Sequence, residues 1–200
     1  MSLSSPEIRF KDDNGNDFPD WEENEFELVV EKSKSKYNPV KSKEEWPCIE
    51  LESLTQETGR LIQTFSSSEQ KSIKNKFVSG EVLFGKLRPY LKKYLHADFE
   101  GVCSSEIWVL RGKTVINGYL FQLIQTHKFN QAANVSSGSK MPRSDWSFLS
   151  SIPFFYPSSR REQKKIADFL TSVDQKIESV SQQIAKTQTF KKGLLQQMFV

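Results

Sequence analysis

Two hundred residues suit one domain with an appendage, or at most two small domains, and a content of 36% hydrophobic residues with fifteen Phe and four Trp can fill a core unaided by metals or disulfides. Only two cysteines occur, Cys48 and Cys103, with no CxxC spacing; they fit buried thiols in a reducing cytoplasm better than a disulfide framework. No apolar run is long enough to cross a bilayer, Met1–Phe10 lacks the apolar stretch of a signal peptide, and no membrane partner is expected.

The net charge of +3 conceals a segregation. Residues 1–31 carry a net −8, residues 32–157 a net +7 and residues 158–200 a net +4. A basic body behind an acidic arm can face a polyanion even when the total is modest.

The arm is polar and turn-rich through Asp17, and Phe18 and Trp21 can pin it to a surface. Residues 25–30 suit a short helix or strand, and Lys32–Glu45 reads as a lysine- and serine-rich loop. Alternation over Trp46–Glu52, with Ile49 and Leu51 on one face, predicts a strand. Phe77–Leu87 predicts a strand with a turn at Ser79-Gly80, ended by Pro89. Val102–Leu110 predicts a further strand, closed by Gly112. Over Val115–Ala133, apolar residues at Leu120, Leu123, Ile124 and Phe129 predict one helix, with Asn117 as its cap. Ser136–Ser139 reads as a flexible loop, and Ile152, Phe154 and Tyr156 alternate in a last strand ending at Pro157.

The final segment carries the clearest pattern. Ser159 and Glu162 fit a capping box. Ile166, Leu170, Val173, Ile177, Val180 and Ile184 then follow in steps of four and three, a heptad seam that continues less cleanly through Thr187 and Lys191 to Leu194 and Met198. A helix of that length spans ~55–60 Å at ~1.5 Å per residue, and so narrow a stripe calls for a partner helix. The expected class is therefore α+β: a mixed α/β globular body, residues 1–157, followed by one long C-terminal coiled-coil helix, residues 158–200.

Catalytic patterns are hard to find. Asn38-Pro39-Val40 lacks the second proline and the aromatic of a methyltransferase turn. There is no dinucleotide or P-loop glycine pattern, and Pro19-Asp20 with Glu69-Gln70-Lys71 matches a nuclease signature in letters only. His96, His127, Cys48 and Cys103 contain no closely spaced pair of the kind zinc sites use, so no metal site is expected. Three stretches instead suit DNA. Lys71–Lys93 holds seven basic residues against Glu81 alone, among them Lys86 and Arg88, and such a patch suits phosphates. Ser104-Ser105-Glu106 offers hydroxyls and a carboxylate, expected at a strand edge, able to bond base edges. Ser136–Arg143 is a glycine-serine loop carrying Lys140 and Arg143, and Arg can grip guanine O6 and N7 through two parallel hydrogen bonds. Each of the three also has a plain structural explanation, as a solvated basic face, a local hydrogen-bond network and a surface loop.

At this point the chain resembles the specificity subunits of type I restriction–modification systems. The resemblance is carried by Pro6–Phe10 with Phe18-Pro19-Asp20-Trp21, by Gly85-Lys86-Leu87-Arg88-Pro89-Tyr90-Leu91 followed by Ser104-Ser105-Glu106, by Gly138–Arg143 with Trp146, and by Glu162–Leu170 with Asp174 and Ile177, the most specific block. Such subunits pair a target recognition domain with a long helix; in the full-length form two halves pack their helices antiparallel and set the spacing of a bipartite DNA target. The resemblance implies a non-catalytic, cytoplasmic DNA-reading subunit whose recognition domain is residues 1–157 and whose spacer helix is 158–200. It further implies double-stranded DNA and modification subunits as partners, with restriction subunits where cleavage accompanies methylation. S-adenosylmethionine, Mg2+ and ATP are expected on those partners, with no cofactor in this chain. Lys86, Arg88, Ser105, Lys140 and Arg143 are the expected DNA contacts. Ile166, Leu170, Val173, Ile177, Val180, Ile184 and Leu194 are the expected helix-pairing residues. Because the chain holds one half, two copies are expected to pair as a homodimer and to read a palindromic bipartite site. The alternatives are a stand-alone homodimeric DNA-binding regulator and a coiled-coil adaptor that binds no nucleic acid.

Overall fold

A computed structural model of the chain describes residues 6–135 and 141–199. In chain order the elements begin with strand β1 (Trp21–Glu25), the single helical turn α1 (Phe26–Val29), β2 (Val30–Lys32) and β3 (Lys36–Tyr37). Then come β4 (Pro47–Ile49), β5 (Phe65–Ser66), β6 (Lys74–Phe77), β7 (Val82–Gly85), β8 (Tyr94–His96), β9 (Gly101–Cys103) and β10 (Ile107–Gly112). Helices α2 (Asn117–Leu123), α3 (His127–Ala133) and α4 (Trp146–Ser151) lead to β11 (Pro153–Pro157) and the long α5 (Arg160–Met198). The class is α+β, a head of mixed sheets and short helices followed by a long C-terminal helix.

The strands form three sheets, ordered β1-β11, β2-β10-β7-β8 and β3-β6-β9-β4-β5. The four-stranded sheet lies in the middle, and its sequence shows why. In β7 and β10 nearly every residue is apolar, as a strand covered on both faces requires. Val82, Phe84, Trp108 and Leu110 point to the helices, whereas Leu83, Ile107 and Val109 point to the five-stranded sheet with Ile49, Phe77 and Cys103. On the helical side four fully buried rings hold the layers together: Phe26 lies 5.2 Å from Phe154, and Phe84 lies 5.1 Å from Phe129.

Several expected elements are divided in the fold. Phe77–Leu87 is not one strand; the chain turns at Ser79-Gly80, Gly80 adopting φ +86°, and passes from β6 in the outer sheet to β7 in the middle one. Val102–Leu110 divides in the same way at Ser104–Glu106 into β9 and β10, so these three residues form a turn between sheets and not a strand edge. Leu51 sits in a 3-10 turn, Leu51–Ser53, beyond the end of β4. The single helix expected over Val115–Ala133 is two, because Thr126 caps a new start by accepting from Phe129 N, and Asn117 instead accepts from Gly112 N at 2.8 Å. Helix α4 has no counterpart in the sequence reading; Asp145 caps it, accepting from Ser147 N and Phe148 N. The Ser136–Ser139 loop lies outside the described residues. Cys48 and Cys103 are buried free thiols on paired strands, Cys48 pushed up to about 12 by burial.

α5 is rooted in the head by three buried residues, Glu162, Gln163 and Ala167. The capping box does not form. Ser159 makes no side-chain cap, and Glu162 turns inward to accept from Arg9 Nε and Nη2 (3.1 and 2.9 Å) and from Trp21 Nε1 (3.2 Å). Gln163 accepts from Ile116 N at 2.9 Å and donates to Pro157 O at 2.8 Å and Thr114 O at 3.3 Å. The arm is thus clamped through Arg9, Trp21 and the buried Phe18, while β1 pairs with β11 just before the root. Beyond the root an ion pair from Arg60 to Glu178 braces the helix, which then leaves the head. At 39 residues it spans roughly 58 Å, and Val173, Ile177, Val180, Ile184 and Leu194 lie between 38% and 56% exposed along it.

Candidate nucleic-acid interface

The register of β7 and β10 sets Gly85 opposite Ile107, so the residues on either side, Lys86 and Glu106, leave the sheet together. Lys86 N donates to Glu106 O at 2.9 Å. The segment Pro142–Ser144 then pairs with the same stretch: Arg88 N donates to Pro142 O at 2.8 Å, Ser144 N donates to Lys86 O at 2.9 Å, and Leu87 bridges Arg143. Three stretches from distant parts of the chain thereby meet at one end of the middle sheet. Four of the expected DNA contacts, Lys86, Arg88, Ser105 and Arg143, come together there; Lys140, the fifth, lies outside the described residues.

The side chains form a cationic surface around one carboxylate. Glu106 accepts from Arg143 Nε at 3.0 Å and Nη2 at 3.5 Å, and Lys86 Nζ stands 3.9 Å away. Arg88 is exposed and holds φ +52°, a left-handed conformation that costs a side-chain-bearing residue about 1 kcal/mol or more. The bond to Pro142 and the following Pro89–Leu91 turn hold it there. Tyr90 beside it is 53% exposed.

Lys32 widens the surface. Its ammonium sits 4.6 Å from the ring centre of Trp146 and 5.6 Å from that of Trp108. Burial, then the charges of Lys86, Lys36 and Lys34, hold it below the usual lysine range, with Asp145 opposing. Lys32, Lys34 and Lys36 fall in the segment that composition marks as a loop, yet the alternation Lys32-Ser33-Lys34-Ser35-Lys36 signals a shared face in an extended chain.

The basic run Lys71–Lys93 is not one patch. Lys74 is buried against Glu50, Lys92 pairs with Glu57 at 2.7 Å, and Lys93 donates to Leu51 O at 2.6 Å. Its middle, Lys86 and Arg88, reaches the cationic surface at the end of the middle sheet. His96 stacks on Phe121 and His127 is exposed, and among the described residues no group of three or more His, Cys, Asp or Glu side chains suits a metal ion.

Residues 20–188 match the family model described as the type I restriction modification DNA specificity domain. The chain belongs to the type I restriction–modification DNA specificity family. Within this specificity family it is 26% identical over 141 residues to the type I restriction enzyme EcoDI specificity subunit of Escherichia coli, covering 68% of this chain and 32% of that subunit. The fold is that of a protein from a type I restriction–modification system solved for its complex assembly and conformational transition (TM-score 0.71, 17% identity, 90% of this chain and 48% of that one). It is likewise that of the HsdS subunit from Thermoanaerobacter tengcongensis (TM-score 0.69, 19% identity, 90% and 48%). The S subunit from M. genitalium is similar at TM-score 0.61 and 12% identity, over 98% of this chain and 49% of that one. The chain therefore spans about a third of the curated relative and about half of the solved ones. No described helix of it is long and apolar enough to cross a membrane.

Proposed function

We propose that this chain reads one half of a bipartite DNA target for separate modification subunits, and for restriction subunits where cleavage accompanies methylation, without performing chemistry itself. The observation that carries the reading is the convergence of Lys86, Arg88, Ser105 and Arg143, with Lys32 beside them, at one end of the middle sheet. Lysines and arginines grouped in this way neutralise phosphates, and exposed side chains among them can reach base edges. The acidic arm is held away from that surface by its clamp on α5. On this reading S-adenosylmethionine, Mg2+ and ATP belong to the partner subunits, and the complex works in the cytoplasm.

The second half of the reader is a second copy of this chain, paired through α5. The stripe Ile166, Leu170, Val173, Ile177, Val180, Ile184, Thr187, Lys191, Leu194 and Met198 has the same spacing read from either end. An antiparallel copy centred on Gln182 sets Ile166 opposite Met198, Leu170 opposite Leu194 and Val180 opposite Ile184. Sliding the centre to Gln175 would set Asp174 against Asp174 and Lys176 against Lys176, and a parallel pair would set Lys191 against Lys191. Where the stripe meets the head it opens into an apolar groove of about 320 Å³ lined by Trp21, Tyr119, Leu123, Phe154 and Phe155 with Ile166 and Leu170, at the place where the far end of that copy arrives.

The deciding experiment is co-expression with the neighbouring modification subunit, followed by genomic methylation mapping. Methylation at a palindromic bipartite sequence that disappears when this chain is removed is the expected result. Tight, specific DNA binding with no modification subunit, and methylation indifferent to the chain, would favour a stand-alone regulator; no DNA binding at all would leave an adaptor.

A further inference from the structure

One carboxylate sits inside the cationic surface, where it lowers the attraction for phosphate. Glu106 is half-buried between Lys86 and Arg143 and is not free to meet a base itself, because its two oxygens are already engaged by Arg143. That engagement is one-sided. A guanidinium has five N–H groups on two usable edges. Glu106 takes the Nε–Nη2 edge; the Nη1–Nη2 edge keeps a parallel pair of donors, the arrangement that matches guanine O6 and N7. Among the described residues no other side chain accepts from Arg143. The backbone on either side is tied down as well, through the Leu87 bridge and the bonds of Pro142 and Ser144.

We infer that Glu106 is a positioning residue that makes Arg143 a reader of guanine and not a general phosphate contact. An unheld arginine in such a surface can swing to any nearby phosphate and gains nothing from the correct base. An arginine clamped along one edge arrives with its other edge set, and loses little freedom when a base pair of the right pattern meets it. The carboxylate thus gives up some attraction for DNA in general and gains discrimination between sequences. The inference rests on the reading of this surface as the DNA contact.

The test is selection from a library of randomised duplexes by the full chain, for the unsubstituted protein, Glu106→Gln, Arg143→Lys and the two combined, at matched ionic strength. Lysine keeps the charge of Arg143 but cannot fork, and glutamine keeps the shape of Glu106 without its charge. The unsubstituted chain is expected to enrich a motif with a required guanine. Glu106→Gln should bind unselected duplex at least as tightly at low salt, yet lose about ten-fold of the guanine preference. Arg143→Lys should lose the same preference, and the combined change should lose no more than either alone. Thermal melts that match the unsubstituted chain confirm that each variant is folded; Arg143→Lys, which leaves the Glu106 backbone bonds in place, carries the test should Glu106→Gln melt early. Glu106→Gln retaining the full guanine preference while Arg143→Lys loses it would overturn the inference alone. A motif without guanine, or one that Arg143→Lys leaves unaltered, would also overturn it. Absence of salt-dependent duplex binding by the unsubstituted chain would overturn the DNA reading itself.

Discussion

The Glu162 carboxylate is fully buried at the root of α5, where Arg9 and Trp21 bind it, although its place three residues after Ser159 suggests a helix cap. Nothing in a local pattern could supply those partners, which come from more than 140 positions away. Glu162→Ala should destabilise the fold by about 2–4 kcal/mol in urea unfolding, since it strands a partly exposed arginine and a half-buried indole beside the root of α5. Lys86, Arg88, Ser105 and Arg143 were legible as residue types suited to DNA, and Lys32 only through the alternation of its segment, whereas the Glu106 clamp was not legible, because it depends on which loops meet. Arg88→Gly separates conformation from charge: it should leave stability equal or higher, since glycine accepts φ +52° freely, while weakening duplex binding and lowering its salt slope by about one unit. Cys48 offers a pH check. Its thiol titrates at about 12 in the fold, so the folded chain keeps a proton that the unfolded chain releases from about pH 9. Stability should therefore fall as pH rises from about 9 toward 12, be unaffected by this group below that range, and fall less steeply in Cys48→Ala.

At the scale of elements, periodicity found apolar segments well and their ends poorly. Val102–Leu110 reads as a single strand because both halves are apolar, and Phe77–Leu87 as a strand with a turn at Ser79-Gly80; the turn is present, and what alternation does not record is the change of sheet across each break. α2 and α3 merged for the same reason, the break at Thr126 being a side-chain cap inside a continuous apolar pattern. The stripe of α5 was legible, since heptad spacing along an exposed rod needs no tertiary contact to be recognised, whereas the capping box expected at its start does not form. Its pairing can be checked with single cysteines, because Cys48 and Cys103 are both buried. Under mild oxidation Ser181→Cys or Gln183→Cys, beside the centre of the antiparallel pair, should cross-link two chains, and Thr187→Cys should not. Cross-linking at Thr187 would indicate a parallel pair. Val180→Asp with Ile184→Asp should leave the head folded and give a monomer by light scattering, as the buried charges would face each other at the centre.

For the whole molecule, the charge division seen in the sequence acquires a layout. The acidic arm is folded against the root of α5, and the cationic surface lies where the middle sheet ends. Duplex binding by the full chain should fall steeply between low and physiological salt, and a flat salt profile would rule out the phosphate contacts. Glu162 and Gln163 leave the root of α5 no hinge, for both are buried with their polar atoms bonded to the head. Length and rotation of the shaft are consequently geared together. Seven residues inserted beyond the root would carry the head about 10 Å, near three base-pair steps, with a turn of only ~20°. One residue would advance it by ~1.5 Å but swing it by ~100°, facing the reading surface away from the groove its counterpart occupies. Because a duplex turns by about 34° per base pair, the spacing such a protein can adopt is limited to changes whose advance and rotation match the duplex together, in discrete steps and not continuously.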